Sequence, residues 1–119
     1  MKNFKLPKEF TEKWLKALRS HDYEQGDGTL YDANSNTYCC LGVACRMEYP
    51  LQYLKASDGY ASLIEKSQDQ LKFDLKKIPK ELKGNLITNR LVKRLTRMND
   101  YKSSFKKIAD WIEDNVELY

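Results

Sequence analysis

The amino-acid sequence predicts an α+β fold, a mainly helical single domain over residues 1–119 with one short β-hairpin. Apolar residues recur at helical spacing near both ends of the chain, which predicts amphipathic helices there. A turn-rich stretch separates two short β-prone runs in the first third of the chain, which predicts the hairpin. Because 12% of the residues are aromatic, the chain has enough large apolar side chains for one hydrophobic core.

Two helices and the hairpin are predicted in the N-terminal part. Pro7 suits a first helical position, and Phe10, Trp14 and Leu18 follow on one stripe, so the first helix spans about 7–20. The runs "TLY" and "TYCC" flank the turn-forming "DANSN" and are interpreted as the hairpin. The small apolar run "CLGVACRMEY" is interpreted as a short buried helix that ends before the following proline.

The C-terminal part predicts two further helices. One runs over about 88–98, and Asn99 and Asp100 end it. Its apolar stripe comprises Ile87, Leu91, Leu95 and Met98. The last helix begins after a serine cap, either Ser103 or Ser104. Its apolar face comprises Phe105, Ile108, Ala109, Ile112 and Val116.

Residues 50–85 carry the weakest pattern. The run "LQYLKASDGYASLIEKS" fits a short helix on either side of Asp58-Gly59. The run "FDLKKIPKELKG" fits a loop followed by a single helical turn that Gly84 ends.

The sequence lacks the marks of a membrane or secreted protein. No segment approaches the roughly 18 consecutive apolar residues of a membrane span. The opening "MKNFKLPKEFTEKWLKALRS" lacks the apolar core and cleavage site of a signal peptide. Three cysteines, an odd number, suit a reducing compartment better than a disulfide framework. We therefore expect a cytoplasmic protein with no membrane partner.

The segment "YCCLGVAC" places Cys39, Cys40 and Cys45 close together and allows three interpretations. A zinc site needs four Cys or His ligands, but His21 is the only histidine and adjacent cysteines point in different directions. A cysteine nucleophile needs a base, and the only imidazole is again His21. We adopt the third, buried packing, in which Gly42 allows close backbone contact. No catalytic residue, metal or cofactor is predicted, since the chain has no P-loop, HExxH or GxSxG motif.

Several segments together resemble a known family. They are "WLKALRSHDYEQGDGTLYD", "NTYCCLGVAC", "LTRMND" and "SFKKIADWIEDN". The family comprises small proteins common in bacteriophage and prophage genomes, with a W-x-x-A-L-R-S helix, a Tyr-x-Gln-Gly turn, a CCLGV-type segment and an Asn-Asp pair before the last helix. The resemblance implies a phage origin and no particular activity, cofactor or partner. The chain departs from the pattern where His21 replaces a common glycine and where Tyr101-Lys102 replaces Gly-Lys.

Positive charge is concentrated in one part of the chain. Residues 72–107 carry twelve Lys or Arg and three Asp or Glu, although the net charge of the whole chain is only +4. Four basic residues of the helix over 88–98 fall away from its apolar stripe and are the predicted nucleic-acid contacts. They are Arg90, Lys93, Arg94 and Arg97. A solvated polar helix side is the alternative. The nearby aromatics are Phe73 and Tyr101, so no stacking platform is expected.

The last helix carries its charges in the reverse of the order that the helix dipole favours. Its lysines lie in the first turn, and four acids lie toward its end. The N–H groups at its start and the neighbouring side chains form a predicted phosphate or carboxylate site. That site comprises Lys102, Ser103, Ser104, Lys106 and Lys107. The alternative is that these lysines are solvated and that the acids pair with lysines elsewhere.

The sequence favours the first of three functions, and the second is the alternative to it. The first is a non-enzymatic, phage-encoded accessory protein that binds a host or defence component in the cytoplasm. Small size, the absence of catalytic motifs and the resemblance motivate it. The second is a nucleic-acid or nucleotide-binding protein that uses the basic segment 72–107. The third is a small enzyme with a cysteine nucleophile. The expected partner is thus a host or phage protein, or else a nucleic acid or nucleotide.

Overall fold

The structure is a computed structural model that describes residues 2–55, 77–83, 88–101 and 103–119. The fold is α+β and mainly helical with one short antiparallel hairpin, which confirms the predicted fold class. In chain order the elements are β1 (Phe4–Leu6), α1 (Lys8–Arg19), β2 (Tyr31–Asp32), β3 (Thr37–Tyr38), α2 (Cys40–Glu48), α3 (Leu51–Lys55), a 3-10 turn (Lys80–Leu82), α4 (Arg90–Asp100), α5 (Phe105–Asn115) and β4 (Val116–Leu118).

The first helix, α1, forms one wall of the core. Its predicted apolar stripe is confirmed, because Trp14 is fully buried and Leu15 and Leu18 are buried beside it. The helix packs against α2 and α5. The indole N–H of Trp14 donates to the carbonyl oxygen of Cys40 at 3.1 Å, so the buried ring also satisfies its one polar atom. Pro7 is the N-cap residue of α1, one position before its predicted place.

The predicted hairpin is present, and its strands are only two residues long. Tyr31 pairs with Tyr38 and Asp32 pairs with Thr37. Asn36 in the connecting turn has a φ of 55°, a left-handed conformation that asparagine tolerates better than most residues. The hairpin leads directly into α2, whose N-terminal two-thirds are buried, so the predicted short buried helix is confirmed.

Helix α2 passes the backbone of the hairpin at contact distance. A Cβ atom on Gly42 would lie 1.9 Å from the carbonyl oxygen of Leu30. The same carbonyl oxygen accepts a hydrogen bond from the backbone N–H of Cys39 at 3.2 Å. The prediction that Gly42 permits a close backbone approach is therefore confirmed.

Helix α4 begins and ends two residues later than predicted. Asn99 and Asp100, which were expected to end it, are both helical. The side-chain amide of Asn99 is buried and hydrogen-bonded to other elements, so it does not compete with the helix backbone. Leu91 and Leu95 are buried as predicted, whereas Ile87 lies outside the described residues.

Helix α5 begins after Ser104, whose hydroxyl accepts the backbone N–H of Lys107 at 3.2 Å. Its predicted apolar face is buried, but the helix ends one residue before Val116. Placing Val116 on the helix was therefore wrong. It belongs to β4, which runs parallel to β1 with Phe4 opposite Val116. This pair of strands, absent from the sequence prediction, joins the two ends of the described chain.

The middle of the chain is described only in part. Helix α3 fits the short helix predicted before Asp58-Gly59, and the 3-10 turn fits the single turn predicted before Gly84. The helix predicted after Asp58-Gly59, and Gly84 itself, lie outside the described residues.

Candidate functional site

The four basic residues predicted on α4 lie together in one groove. This groove, about 350 Å³ in volume, is bounded by α4, α5 and the start of β1. We call it the arginine groove, and the side chains that define it are Phe4, Arg90, Lys93, Arg94, Arg97 and Trp111. None of its described lining residues is acidic. The arrangement concentrates positive charge in a concave surface, where it acts on an anionic ligand more strongly than on a convex one.

Helical periodicity explains how α4 presents these cations. The four basic positions follow one another at intervals of three, one and three residues, which places them on one side of a helix. They are Arg90, Lys93, Arg94 and Arg97. Leu91 and Leu95 occupy the other side and are buried in the core. Because the apolar side of α4 is buried, the basic side of the helix faces outward and lines the arginine groove.

Two aromatic rings form the floor of the arginine groove. The ring centroids of Phe4 and Trp111 are 6.0 Å apart at an interplanar angle of 50°. The guanidinium of Arg94 lies 5.4 Å from the centroid of the Trp111 ring, and that of Arg90 lies 6.0 Å from the Phe4 ring. Both are cation–π distances. The guanidinium groups of Arg94 and Arg90 therefore lie over the rings of Trp111 and Phe4.

The aromatic residues that line the groove, Phe4 and Trp111, are not the two that the sequence places nearby. Tyr101 is 82% exposed and does not line the groove, and Phe73 lies outside the described residues. Trp111 and Phe4 take their place. Phe4 reaches the groove because β1 pairs with β4, a contact between distant parts of the sequence that local pattern does not reveal.

A second groove of about 450 Å³ adjoins the first and shares Phe4 and Arg90 with it. It adds the basic residues Lys5 and Lys83. Glu81 is the one acid among its described lining residues, and it accepts a hydrogen bond from the hydroxyl of Tyr119. The two grooves together extend the basic surface from α4 toward the 3-10 turn.

The predicted phosphate site at the start of α5 stays a prediction. The backbone N–H of Phe105 already donates to Oε1 of Gln25 at 3.1 Å, and that of Lys107 donates to Ser104. The carbonyl oxygen of Ser103 accepts from Gln25 at 2.8 Å. Two of the N–H groups that an anion would use are thus engaged within the protein. Lys102 lies outside the described residues, and Lys106 lines a separate groove beside Arg19 and His21.

Ion pairs with α1 explain part of the reversed charge order of α5. Arg19 of α1 lies 2.8 Å from a carboxylate oxygen of Asp110 and 3.2 Å from one of Glu113. The hydrogen bond from Arg19 to Asp110 raises the pKa of the guanidinium further above its usual range. Two of the four acids therefore pair across the α1–α5 contact, with an arginine instead of the predicted lysines.

The three cysteines are buried thiols. Burial raises the pKa of Cys40 and that of Cys45, so both thiols stay protonated at neutral pH. The Sγ of Cys40 contacts the carbonyl oxygen of Leu95 at 3.7 Å. His21 is exposed and has a φ of 67°, the left-handed conformation that favours glycine after a helix. These surroundings favour packing over a nucleophilic role.

The described residues hold no cluster of three or more His, Cys, Asp or Glu side chains that would bind a metal. Within the same ranges, no helix combines the length and apolar character needed to cross a membrane.

Sequence reasoning missed a buried amide cluster made by Asn99 and Gln25. Oδ1 of Asn99 accepts from the backbone N–H of Cys40 at 3.1 Å and from Nε2 of Gln25 at 3.0 Å. Its Nδ2 donates to the carbonyl oxygen of Gly26 at 2.8 Å. The cluster joins α4, α2 and the loop before the hairpin. The sequence feature that could have indicated this cluster is that Gln25 and Asn99 both lie in segments that carry the family resemblance.

The chain belongs to the family described as a domain of unknown function, DUF8296, whose model matches residues 6–116. No curated protein and no solved structure matches the chain. The family description assigns no activity, so a function has to be inferred from the geometry of the grooves.

Proposed function

We propose that this member of the DUF8296 family is a non-enzymatic protein that binds a nucleic acid by its phosphates in the arginine groove. The observation that supports it is the convergence of Arg90, Lys93, Arg94 and Arg97 on one concave surface with no described acidic lining residue. Arginine is the side chain best suited to phosphate, because its planar fork donates two parallel hydrogen bonds.

The charge layout of the whole chain supports the same proposal. The segment 72–107 is strongly basic, although the net charge of the protein is only +4. The positive charge of this segment steers a polyanion toward the arginine groove, which four of its twelve basic residues line. The positions of Lys5 and Lys83 in the second groove extend this positive charge beyond α4.

The proposed setting is the cytoplasm of a host cell, with the protein encoded by a phage and acting as an accessory factor. The resemblance of its segments to phage and prophage proteins supports this setting. A second candidate ligand is an acidic host or defence protein. The arginine groove attracts acidic side chains as it does phosphates, and the exposed apolar side chains of Leu118 and Tyr119 offer a protein further contact area.

Removing charge from the arginine groove tests the proposal. We expect the double substitution Arg94→Ala and Arg97→Ala to weaken binding to a labelled oligonucleotide at least about tenfold, because each charge-assisted phosphate contact is lost. The dependence of log affinity on log salt should become shallower by about 1.4, the value for two contacts to a single strand. Fluorescence anisotropy over a range of salt concentrations measures both quantities.

A matched control removes the same charge elsewhere. Lys8 and Lys16 are exposed on α1 and line neither groove, so Lys8→Ala with Lys16→Ala should leave the affinity within about twofold of the parent. Equal losses in both double variants would show that net charge alone drives binding. If Lys106→Ala with Lys107→Ala lowered the affinity more than Arg94→Ala with Arg97→Ala, the binding site would lie at the start of α5 instead. Absence of salt-dependent binding by the parent would contradict the proposal and favour the acidic protein.

A further inference from the structure

We infer that the nucleic acid is single-stranded and that an unpaired base stacks against the Arg94–Trp111 pair while the strand continues into the second groove. This inference deepens the proposed function and rests on it. It makes Trp111 and the planar group of Arg94 determinants of specificity, in addition to the charges that supply affinity.

The floor of the arginine groove is what points to a base. A site that holds only phosphate needs donors and positive charge, whereas this one also presents a half-buried indole with a guanidinium 5.4 Å from its ring centroid. Bases stack on aromatic rings and on guanidinium planes alike. The Arg94 side chain is exposed, so its planar group is accessible from solvent.

The bases of a duplex cannot stack on this floor. Cavities of about 350 and 450 Å³ admit single nucleotides, whereas the bases of a duplex are stacked on one another and present no free face. A duplex would touch only the rim, through its phosphates. The stacking surface formed by Trp111 and the guanidinium of Arg94 is therefore useful only to unpaired bases.

The junction of the two grooves points to a strand rather than a mononucleotide. Phe4 and Arg90 line both grooves, so a ligand that fills the first passes directly to the second. The second groove provides Lys5 and Lys83 for the phosphates that follow. One mononucleotide would leave these contacts unused.

The experiment compares a single-stranded oligonucleotide of about eight nucleotides with its own duplex and with a mononucleotide. Two variants are matched to the parent. Arg94→Lys keeps the charge but lacks the planar fork, and Trp111→Leu keeps apolar volume but lacks the ring. We expect each to weaken single-strand binding on the order of tenfold and to leave the salt slope unchanged, and we expect Trp111→Leu to leave duplex binding unchanged. Trp111→Phe keeps a ring, so it should lose less affinity for the single strand than Trp111→Leu does. Near-ultraviolet circular dichroism checks that each variant folds.

The outcomes separate this inference from the proposed function. Preference of the parent for the single strand, with weaker single-strand binding by Arg94→Lys and a loss confined to the single strand in Trp111→Leu, supports the inference. Equal affinity for strand and duplex, or unchanged single-strand binding by Arg94→Lys, overturns it and leaves phosphate binding in place. Mononucleotide binding as tight as oligonucleotide binding overturns the continuation into the second groove. Failure of every nucleic acid to bind overturns both proposals.

Discussion

Replacing Asn99 by alanine is expected to lower the free energy of unfolding by about 3 kcal/mol. The side chain is only 2% exposed and makes three hydrogen bonds, to the N–H of Cys40, to Gln25 and to the carbonyl of Gly26. Alanine leaves the buried N–H of Cys40 without this acceptor, and a buried unsatisfied group costs about 1–3 kcal/mol. It also releases the loop at Gly26 from α4. Urea denaturation followed by circular dichroism measures the loss.

Asn34 provides the control for that experiment. It lies exposed in the turn of the hairpin, so Asn34→Ala makes the same chemical change without removing a buried side chain. We expect it to change the free energy of unfolding by less than about 0.5 kcal/mol. A loss from Asn99→Ala no larger than that from Asn34→Ala would contradict the role of the amide cluster.

Replacing Gly42 by alanine is also expected to cost about 3 kcal/mol, although alanine is the better helix former by about 1 kcal/mol. The added Cβ would lie 1.9 Å from the carbonyl oxygen of Leu30 and 2.9 Å from its carbonyl carbon. Both are backbone atoms, so the contact is relieved only if α2 moves away from the hairpin. That movement also strains the hydrogen bond from Cys39 to Leu30. Thermal and urea unfolding of the variant measure the cost.

Gly28→Ala is the comparison for this substitution. Gly28 has a φ of 79°, but no atom lies within 4 Å of a Cβ placed there. Its replacement should therefore cost only the backbone strain, about 1 kcal/mol. If Gly42→Ala were as stable as the parent, the close approach of α2 to Leu30 would not be a constraint on the fold.

The bounds of an element were predictable to within one or two residues where the element carries its own apolar stripe or cap residue. The stripe of Trp14 and Leu18 located α1, and the serine before Phe105 located α5. The errors arose where a long-range contact overrides a local preference. Asn99 favours a turn in isolation, but it stays helical because other elements satisfy its side chain. Val116 continues the helical period but pairs with Phe4 in β4.

The same distinction applies to the candidate site. The four cations were predictable because they share one helix, and a period of 3.6 residues is enough to place them together. The aromatic floor was not, because Phe4 and Trp111 come from opposite ends of the chain and meet through the parallel pairing of β1 with β4. No spacing within a single element encodes that contact.

Nuclear magnetic resonance of the two indole N–H groups tests most directly whether the arginine groove binds nucleic acid. The chain has two tryptophans, and they report on different places. The indole of Trp14 is buried and hydrogen-bonded to the carbonyl oxygen of Cys40, whereas the indole of Trp111 lies beneath the guanidinium of Arg94 in the arginine groove. Trp111→Phe assigns the signals by removing one of them. On titration with a single-stranded oligonucleotide, we expect the Trp111 signal to shift with occupancy while the Trp14 signal stays in place. An unchanged Trp111 signal at saturation would contradict binding in the arginine groove, because the bound strand would then lie elsewhere.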